Sequence, residues 1–575
     1  MTTILLMVLA FVGYIVAYNT YGRFLSRRIF RLDPDAPVPS KTSEDGVDFV
    51  PSRRIIVFGH HFTSIAGTGP IVGPAIGVIW GWVPAFIWVF VGSILMGAVH
   101  DFGALVVSLR NQGRSIADIT GKYINPRVRV LFFVIVFLIL WIVIAIFGLV
   151  IAIIFAKYPA SVFPVWMEIP IAMLLGWLVY KRGMGRRLLA LDIGAILAMY
   201  VTVVIGYFLP LVMPTVFGMP PTGVWTVILL AYAFVASGLP VTTLLQPRDY
   251  INAWELAVAL VLMIAGVLVA GFAGRLEMAA PAFQAAPKGA PALWPFLFIT
   301  IACGAISGFH SLVSSGTSAK QLSKETDAQF VGYGSMLMES VLAVLVIIAC
   351  CAGIGIAYKA ADGSTLTGAA AWTTHYASWT AAEGLGAKLD AFVVGSANLL
   401  NSFGIPLGIG IVVMGVFVAS FAGTTLDTAT RLQRYVIGEV GAQVKLGLLR
   451  NRWTATTLAV VSAGALAFAT GANGTGALKL WPLFGAVNQM LAGLALLVIT
   501  SYLRQRTRWF WLTLVPALFM IVLTSWALVQ KTVQFYGEQN WLLALVGTVC
   551  LVLEVWMLVE AIVVTVRPRV PGAAA

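Results

Sequence analysis

The chain has 575 residues, 60% of them apolar and only 10% charged, with a mean hydropathy of +0.94. Water-soluble domains carry about 45–50% apolar and about 25% charged residues, so a soluble enzyme is excluded and an all-α polytopic membrane protein is expected. The net charge of +13 is read as cytoplasmic loops loaded with Lys and Arg and not as a nucleic-acid footprint.

Apolar runs long enough to cross about 30 Å of hydrocarbon lie near 4–21, 55–82, 84–107, 130–155, 165–180, 191–213, 223–250, 254–272, 294–315, 333–357, 405–429, 454–470, 479–501, 509–529 and 541–566. That predicts about fifteen transmembrane helices. The stretch 391–402 is too short to cross and reads as a re-entrant or surface helix. The first run lacks the basic residues that precede a secretory signal's apolar stretch and reads as a retained span.

Basic residues follow the odd-numbered runs. They are Arg23, Arg27, Arg28, Arg31, Arg53 and Arg54; Arg110, Arg114, Lys122, Arg127 and Arg129; Lys181, Arg182, Arg186 and Arg187; and Arg248. Lys320 and Lys324, then Arg431, Arg434, Lys445, Arg450 and Arg452, then Arg504, Arg506 and Arg508, and finally Arg567 and Arg569 continue the pattern. The loops between are nearly free of Lys and Arg, which predicts an N-terminus outside and a C-terminus in the cytoplasm.

Two runs are abnormal. Residues 55–82 would make a helix of about 42 Å, and its middle, Ala66-Gly67-Thr68-Gly69-Pro70, is a poor place to keep a helix intact. Residues 223–250 repeat this with Ser237-Gly238-Leu239-Pro240. Proline-kinked packed helices would account for either one alone. Lying five runs apart, however, the two would cross in opposite directions, as interrupted helices do in the inverted halves of transporters. The expected organisation is a first span and basic loop (1–54), two five-span halves (55–217 and 218–430) and four accessory spans (431–575).

At each break a half-helix would begin inside the protein with unpaired amides and a positive dipole end, which suits a carboxylate. The predicted substrate-binding residues are Thr63, Ser64, Gly67, Thr68, Gly69, Ser237, Gly238, Thr242 and Thr243. Ionisable groups at membrane depth usually face partners or water. His60, His61, His100, Asp101, His310 and Asp427 are therefore candidates for ion coupling or gating, with Ser314 and Ser315 on the hydroxyl face of the 294–315 run. Plainer readings stand beside these: Asp427 pairing with Arg431 one turn on, and the serine face serving helix packing. Glu339 could simply mark the start of its span. Cys303, Cys350, Cys351 and Cys550 read as buried apolar residues, and the ligand spacings of catalytic metal sites are missing. No metal or cofactor is expected.

The stretches HHFTSIAGTGPIVGPAIG (60–77), GWVPAFIWVFVGSILMGAVHDF (81–102), FITIACGAISGFHSLVSSGTSAKQL (298–322), YGSMLMES (333–340) and FAGTTLDTATRLQRY (421–435) resemble the carbon starvation protein A family. The resemblance runs from about residue 20 to 510. It implies a non-enzymatic secondary transporter of the bacterial inner membrane with a LeuT-type 5+5 inverted repeat, importing short peptides or pyruvate during nutrient limitation, usually with protons. Sodium stays open. A peptide would need an acidic acceptor for its ammonium, and none is obvious at mid-depth, which tilts the reading toward the small monocarboxylate. A channel or a nutrient sensor is the rival class, but no ring of like groups and no large soluble domain is present.

Overall fold

The computed structural model describes residues 2–183 and 188–566; Arg186, Arg187, Arg567 and Arg569 of the basic pattern lie outside the described residues. Among the described residues twelve helices are long and apolar enough to cross a membrane, or thirteen if one bent pair counts as a span. The first, α1, is Thr2–Ala17 and continues in helical turns to Ile29. After the basic loop come α2 (Arg54–Ala66) and α3 (Gly69–Gly77). Then follow α4 (Trp82–Leu109), α5 (Ile116–Tyr123), α6 (Pro126–Lys157), α7 (Pro159–Lys181), α8 (Leu188–Phe208), α9 (Pro221–Gly238) and α10 (Leu245–Phe272). The most apolar one, α6, starts where a proline can: Pro126 opens it and the Asn125 side chain accepts from the Val128 amide at 2.9 Å.

The second part of the chain forms α11 (Leu293–Thr300), α12 (Gly308–Gly316), α13 (Glu325–Gly355), α14 (Leu385–Asn401) and α15 (Leu407–Gln443). It ends with α16 (Arg452–Phe468), α17 (Trp481–Arg504), α18 (Trp511–Gly537) and α19 (Trp541–Val566). The only regular strands among the described residues are Tyr358–Lys359 and Thr365–Leu366, paired antiparallel before α14. The predicted short helix at 391–402 is the latter part of α14, which packs against α3, α15, α10 and α13.

The first expected break is present. α2 and α3 meet at a 40° bend through Gly67, whose φ is +34°, a region that L side chains avoid. A Cβ there would also stand 2.5 Å from Thr425 Oγ1.

The second expected break is not where sequence patterning put it. Residues 223–250 are not one interrupted span: α9 and α10 are each long enough to cross alone, and Ser237-Gly238-Leu239-Pro240 is a helix end followed by a turn. Pro240 holds Leu239 in extended backbone (φ −73°, ψ 154°), as a residue before proline prefers. The polar first turns of α10, with Gln246, Arg248, Asp249 and Asn252, are buried against protein, so hydropathy alone assigned them to a span's far end. Arg248 is accordingly a buried residue inside α10 and no loop charge. The halves 55–217 and 218–430 lose the break that defined the second of them.

The partner interruption lies in the run read as intact, between α11 and α12 at residues 301–307. It faces the first. A Cβ on Gly73 would lie 2.7 Å from the Thr300 carbonyl oxygen, and one on Gly69 would lie 2.3 Å from Cys303 Sγ. Gly73→Val is therefore expected to wedge α3 from α11 and cost about 1–3 kcal/mol, read as a lower unfolding temperature in detergent. An unchanged temperature would show that the two interruptions are not held together.

Candidate functional site

A cavity of about 540 Å³ lies between the two interruptions, within the size range of small-molecule sites. Its deep end is lined by Gly67, Thr68, Gly69, Cys303, Ser307, Phe309, Thr425 and Asn488. The amino ends of α3 and α12 both open there, so two positive dipole ends converge. Asn488 of α17 fixes the second end: its Oδ1 accepts from the Phe309 amide at 2.9 Å, and its Nδ2 donates to Ser307 Oγ at 2.9 Å. Towards one face the cavity widens between Trp379, Glu383 and Lys388 on one side and Lys531, Gln534 and Glu538 on the other.

Of the predicted substrate residues, Gly67, Thr68 and Gly69 line this cavity. Thr63 and Ser64 do not: Thr63 Oγ1 donates to the Gly59 carbonyl at 2.8 Å, and Ser64 Oγ sits 3.0 Å from Thr428 Oγ1. Ser237, Gly238, Thr242 and Thr243 lie apart from it at the α9–α10 connection. There the Val241 amide donates to the Val47 carbonyl at 2.9 Å. Cys303, read as a packing residue, is half-buried and lines the cavity.

The buried ionisable groups form two clusters beside the breaks. In the first, Asp101 of α4 receives His100 Nδ1 at 2.8 Å and His310 Nδ1 at 3.0 Å, and His310 Nε2 faces Glu339 of α13 at 3.5 Å. All four side chains are fully buried. His61 points elsewhere, with Nδ1 2.8 Å from Ser318 Oγ. Ser315 ties α12 to α5, accepting from the Ile116 amide at 3.0 Å, while Ser314 Oγ is buried without a partner.

The second cluster centres on Arg248. Its guanidinium binds Asp427, donates to Tyr232 at 2.7 Å and Asp249 at 2.9 Å, and lies 3.6 Å from Glu168. His60 Nδ1 is 2.6 Å from the other Asp249 oxygen. Asp427 thus takes Arg248 and not Arg431; Arg431 binds Asp48 instead, at 2.6 Å. Glu168, Tyr232, Asp249 and Asn488 escaped sequence reasoning, because a single acidic or polar residue in an apolar run shows no partner until packing supplies one.

Asp48, in the loop before α2, also accepts from Arg434 at 2.9 Å, and Lys320 Nζ lies 3.5 Å over the Tyr435 ring. Backbone bonds from Val50 to Lys320 and from Ser52 to Gln321 clamp the loop onto the segment after α12. Burial alone would raise the Asp48 carboxyl, but Arg431, Arg434 and Lys320 outweigh it and hold it well below the usual carboxylate range. Its folded-state pKa being depressed, the clamp's contribution is complete above about pH 4 and is lost as pH falls further. Asp48→Asn is expected to loosen this face and shift the cavity's opening towards it. Labelling of Cys303 by a membrane-impermeant thiol reagent reaching the wide end would then fall; Cys350, Cys351 and Cys550 are buried and stay silent. Unchanged labelling would separate the clamp from access.

Interrupted helices meeting at a cavity, with buried acid–base clusters alongside, define a polytopic membrane protein of the transporter class. The chain matches the carbon starvation protein CstA description over residues 2–527, and it belongs to that family. It is 35% identical to the peptide transporter CstA of Campylobacter jejuni, over 94% of this chain and 81% of the relative. It is 33% identical to the pyruvate/proton symporter BtsT of Escherichia coli, over 90% of this chain and 80% of the relative. A solved manganese transporter of Eremococcus coleocola superposes with a TM-score of 0.46 and 14% identity, covering 91% of this chain and 99% of that one.

Proposed function

We propose that this protein is a secondary transporter that imports a small carboxylate, pyruvate or a short peptide, across the bacterial inner membrane by alternating access. The observation that carries the reading is the convergence of two half-helix amino ends, at Gly69 and Gly308, on one cavity. A carboxylate held there is stabilised by both dipole ends and by the hydroxyls of Thr68 and Ser307. The volume exceeds what pyruvate needs, and Glu383 and Glu538 supply the ammonium acceptors missing from the sequence pattern; both support a short peptide.

The packing supports two inverted halves, with altered bounds. The first comprises α2/α3, α4, α6, α9 and α10; the second comprises α11/α12, α13, α15, α16 and α17. Equivalent members meet across the molecule, α6 packing along α15 and α9 on α16, and the first and last members of each half meet alike, α2 on α10 and α12 on α17. The hairpin α7–α8 is then an insertion, and α1, α18 and α19 are peripheral. With the basic loops in the cytoplasm, the Asp48 clamp closes the inner face and the wide end of the cavity opens outward.

Protons are the simpler coupling ion. The hydroxyls near the first break (Ser64, Thr424, Thr425, Thr428) could serve sodium, but the His60 imidazole already stands 3.5 Å from Ser64 Oγ, and Arg248 binds the Asp249 that His60 contacts. The test is uptake of labelled pyruvate and labelled dialanine into proteoliposomes under imposed proton and then sodium gradients. Accumulation of either carboxylate driven by the proton gradient is expected. A protein that accumulates only neutral or cationic solutes, or none, defeats the reading.

A further inference from the structure

The wide end of the cavity holds a feature that the site at the helix breaks does not require. Lys388, in the first turn of α14, is only 6% exposed, lines the cavity and has no carboxylate within ion-pair distance among the described residues. An ammonium buried without a partner is costly, and its place at a helix amino end adds like-charge repulsion from the dipole. An anion seated against it offsets both penalties. Lys531 reaches the same space from α18, its Nζ 5.2 Å from the Phe296 ring centre and 3.3 Å from Gln534 Oε1. Two cations from separate parts of the chain thus line one cavity outside the breaks, with Glu383 and Glu538 lining the same space.

We propose that Lys388, assisted by Lys531, forms a second carboxylate-binding site at the mouth of the cavity, which captures the substrate before it passes to the helix breaks. This rests on the carboxylate reading above. It also gives α18, which lies outside both halves, a part in substrate selection: its last turns supply one wall of the site. The apolar surfaces of Trp379, Phe296 and Phe535 flank the cations, so a carboxylate carrying a small apolar body fits better than an inorganic anion.

Burial pushes the Lys388 ammonium down to about 8, Glu383 opposing that shift only in part. Glu383 is the charged group that acts on it, and Lys531 and Glu538 line the same cavity from the end of α18. A lysine with a depressed value is charged below it and neutral above, so carboxylate binding falls as pH rises through about 8. The experiment is equilibrium binding of labelled pyruvate and of labelled dialanine to the full-length protein in nanodiscs between pH 6 and 9.5, with KM from proteoliposome uptake. Lys388→Met is expected to weaken binding about tenfold, the loss of one charge-assisted hydrogen bond, and to raise KM more than it lowers kcat. Lys388→Arg is expected to keep the affinity and abolish its decline above pH 8. Lys531→Met gives a smaller loss. A folded Lys388→Met protein with unchanged affinity and KM overturns this site and leaves the transport reading standing. A wild-type protein that binds neither probe overturns both.

Discussion

Arg248→Met is expected to be the most damaging single substitution in the protein, costing about 3–5 kcal/mol. Arg248 is almost wholly buried and is the cation among Asp427, Asp249 and Glu168, which come from α15, α10 and α7. Methionine fills a similar volume but leaves three carboxylates facing one another away from water, with His60 the remaining base at hand. Lysine is not expected to rescue, because one ammonium cannot reproduce the fork that reaches Tyr232 and Asp427 together while a second nitrogen serves Asp249. Adding Asp427→Asn to Arg248→Met should recover part of the loss, since removing both members of a buried pair costs less than removing one. Apparent unfolding temperature and the monodisperse fraction after extraction measure the effect. An Arg248→Met protein as stable as wild type would mean that water reaches this cluster and that its charges are not mutually dependent.

The second large effect is functional. His310→Gln and Glu339→Gln are each expected to reduce proton-driven accumulation about 5–150-fold, the usual span of a site-to-site coupling energy, while substrate exchange at equal pH persists. His310 occupies the first turn of α12, immediately beyond the second interruption, and lies between Asp101 and Glu339. Both Glu339 oxygens lack a hydrogen-bond partner, apart from the imidazole 3.5 Å away. If α12 moves during the transport cycle, the imidazole must change its distance to these carboxylates, and a proton gained or lost there makes the movement depend on the gradient. Gradient-driven uptake and counterflow, measured on the same vesicles, separate coupling from binding. Full accumulation in both variants would remove this cluster from the coupling path and leave the Arg248–His60 cluster as the remaining candidate.

Much of this arrangement was legible in the sequence where the controlling physics is local. Gly67 and Pro70 interrupt a helix whatever surrounds them, because one needs positive φ and the other lacks an amide. The residues flanking that break reached the cavity as expected only from Gly67 onward. Thr63 and Ser64, a turn earlier, spend their hydroxyls on the helix backbone and on α15. His100, Asp101 and His310 were recognisable as ionisable groups in need of partners because a charge in an apolar run is rarely accidental. Their connection through Asp101 was not visible, since no sequence pattern relates residue 101 to residue 310.

By itself the sequence determined a membrane protein of helical spans, where the apolar runs lie, the first interruption and the family. Each follows from the free energy of transfer into hydrocarbon, or from backbone rules, acting within some twenty residues. Tertiary structure alone decided where the second interruption falls, that Asp427 pairs with Arg248 across helices instead of with Arg431 along its own, and that Lys388 stands buried and unpaired beside a cavity. The physical reason is that hydropathy scores a polar turn as if it faced solvent or lipid. In α10 the polar groups face other protein segments and in α14 Lys388 faces a cavity, and only the packing of distant helices determines which charges meet and which stand unpaired.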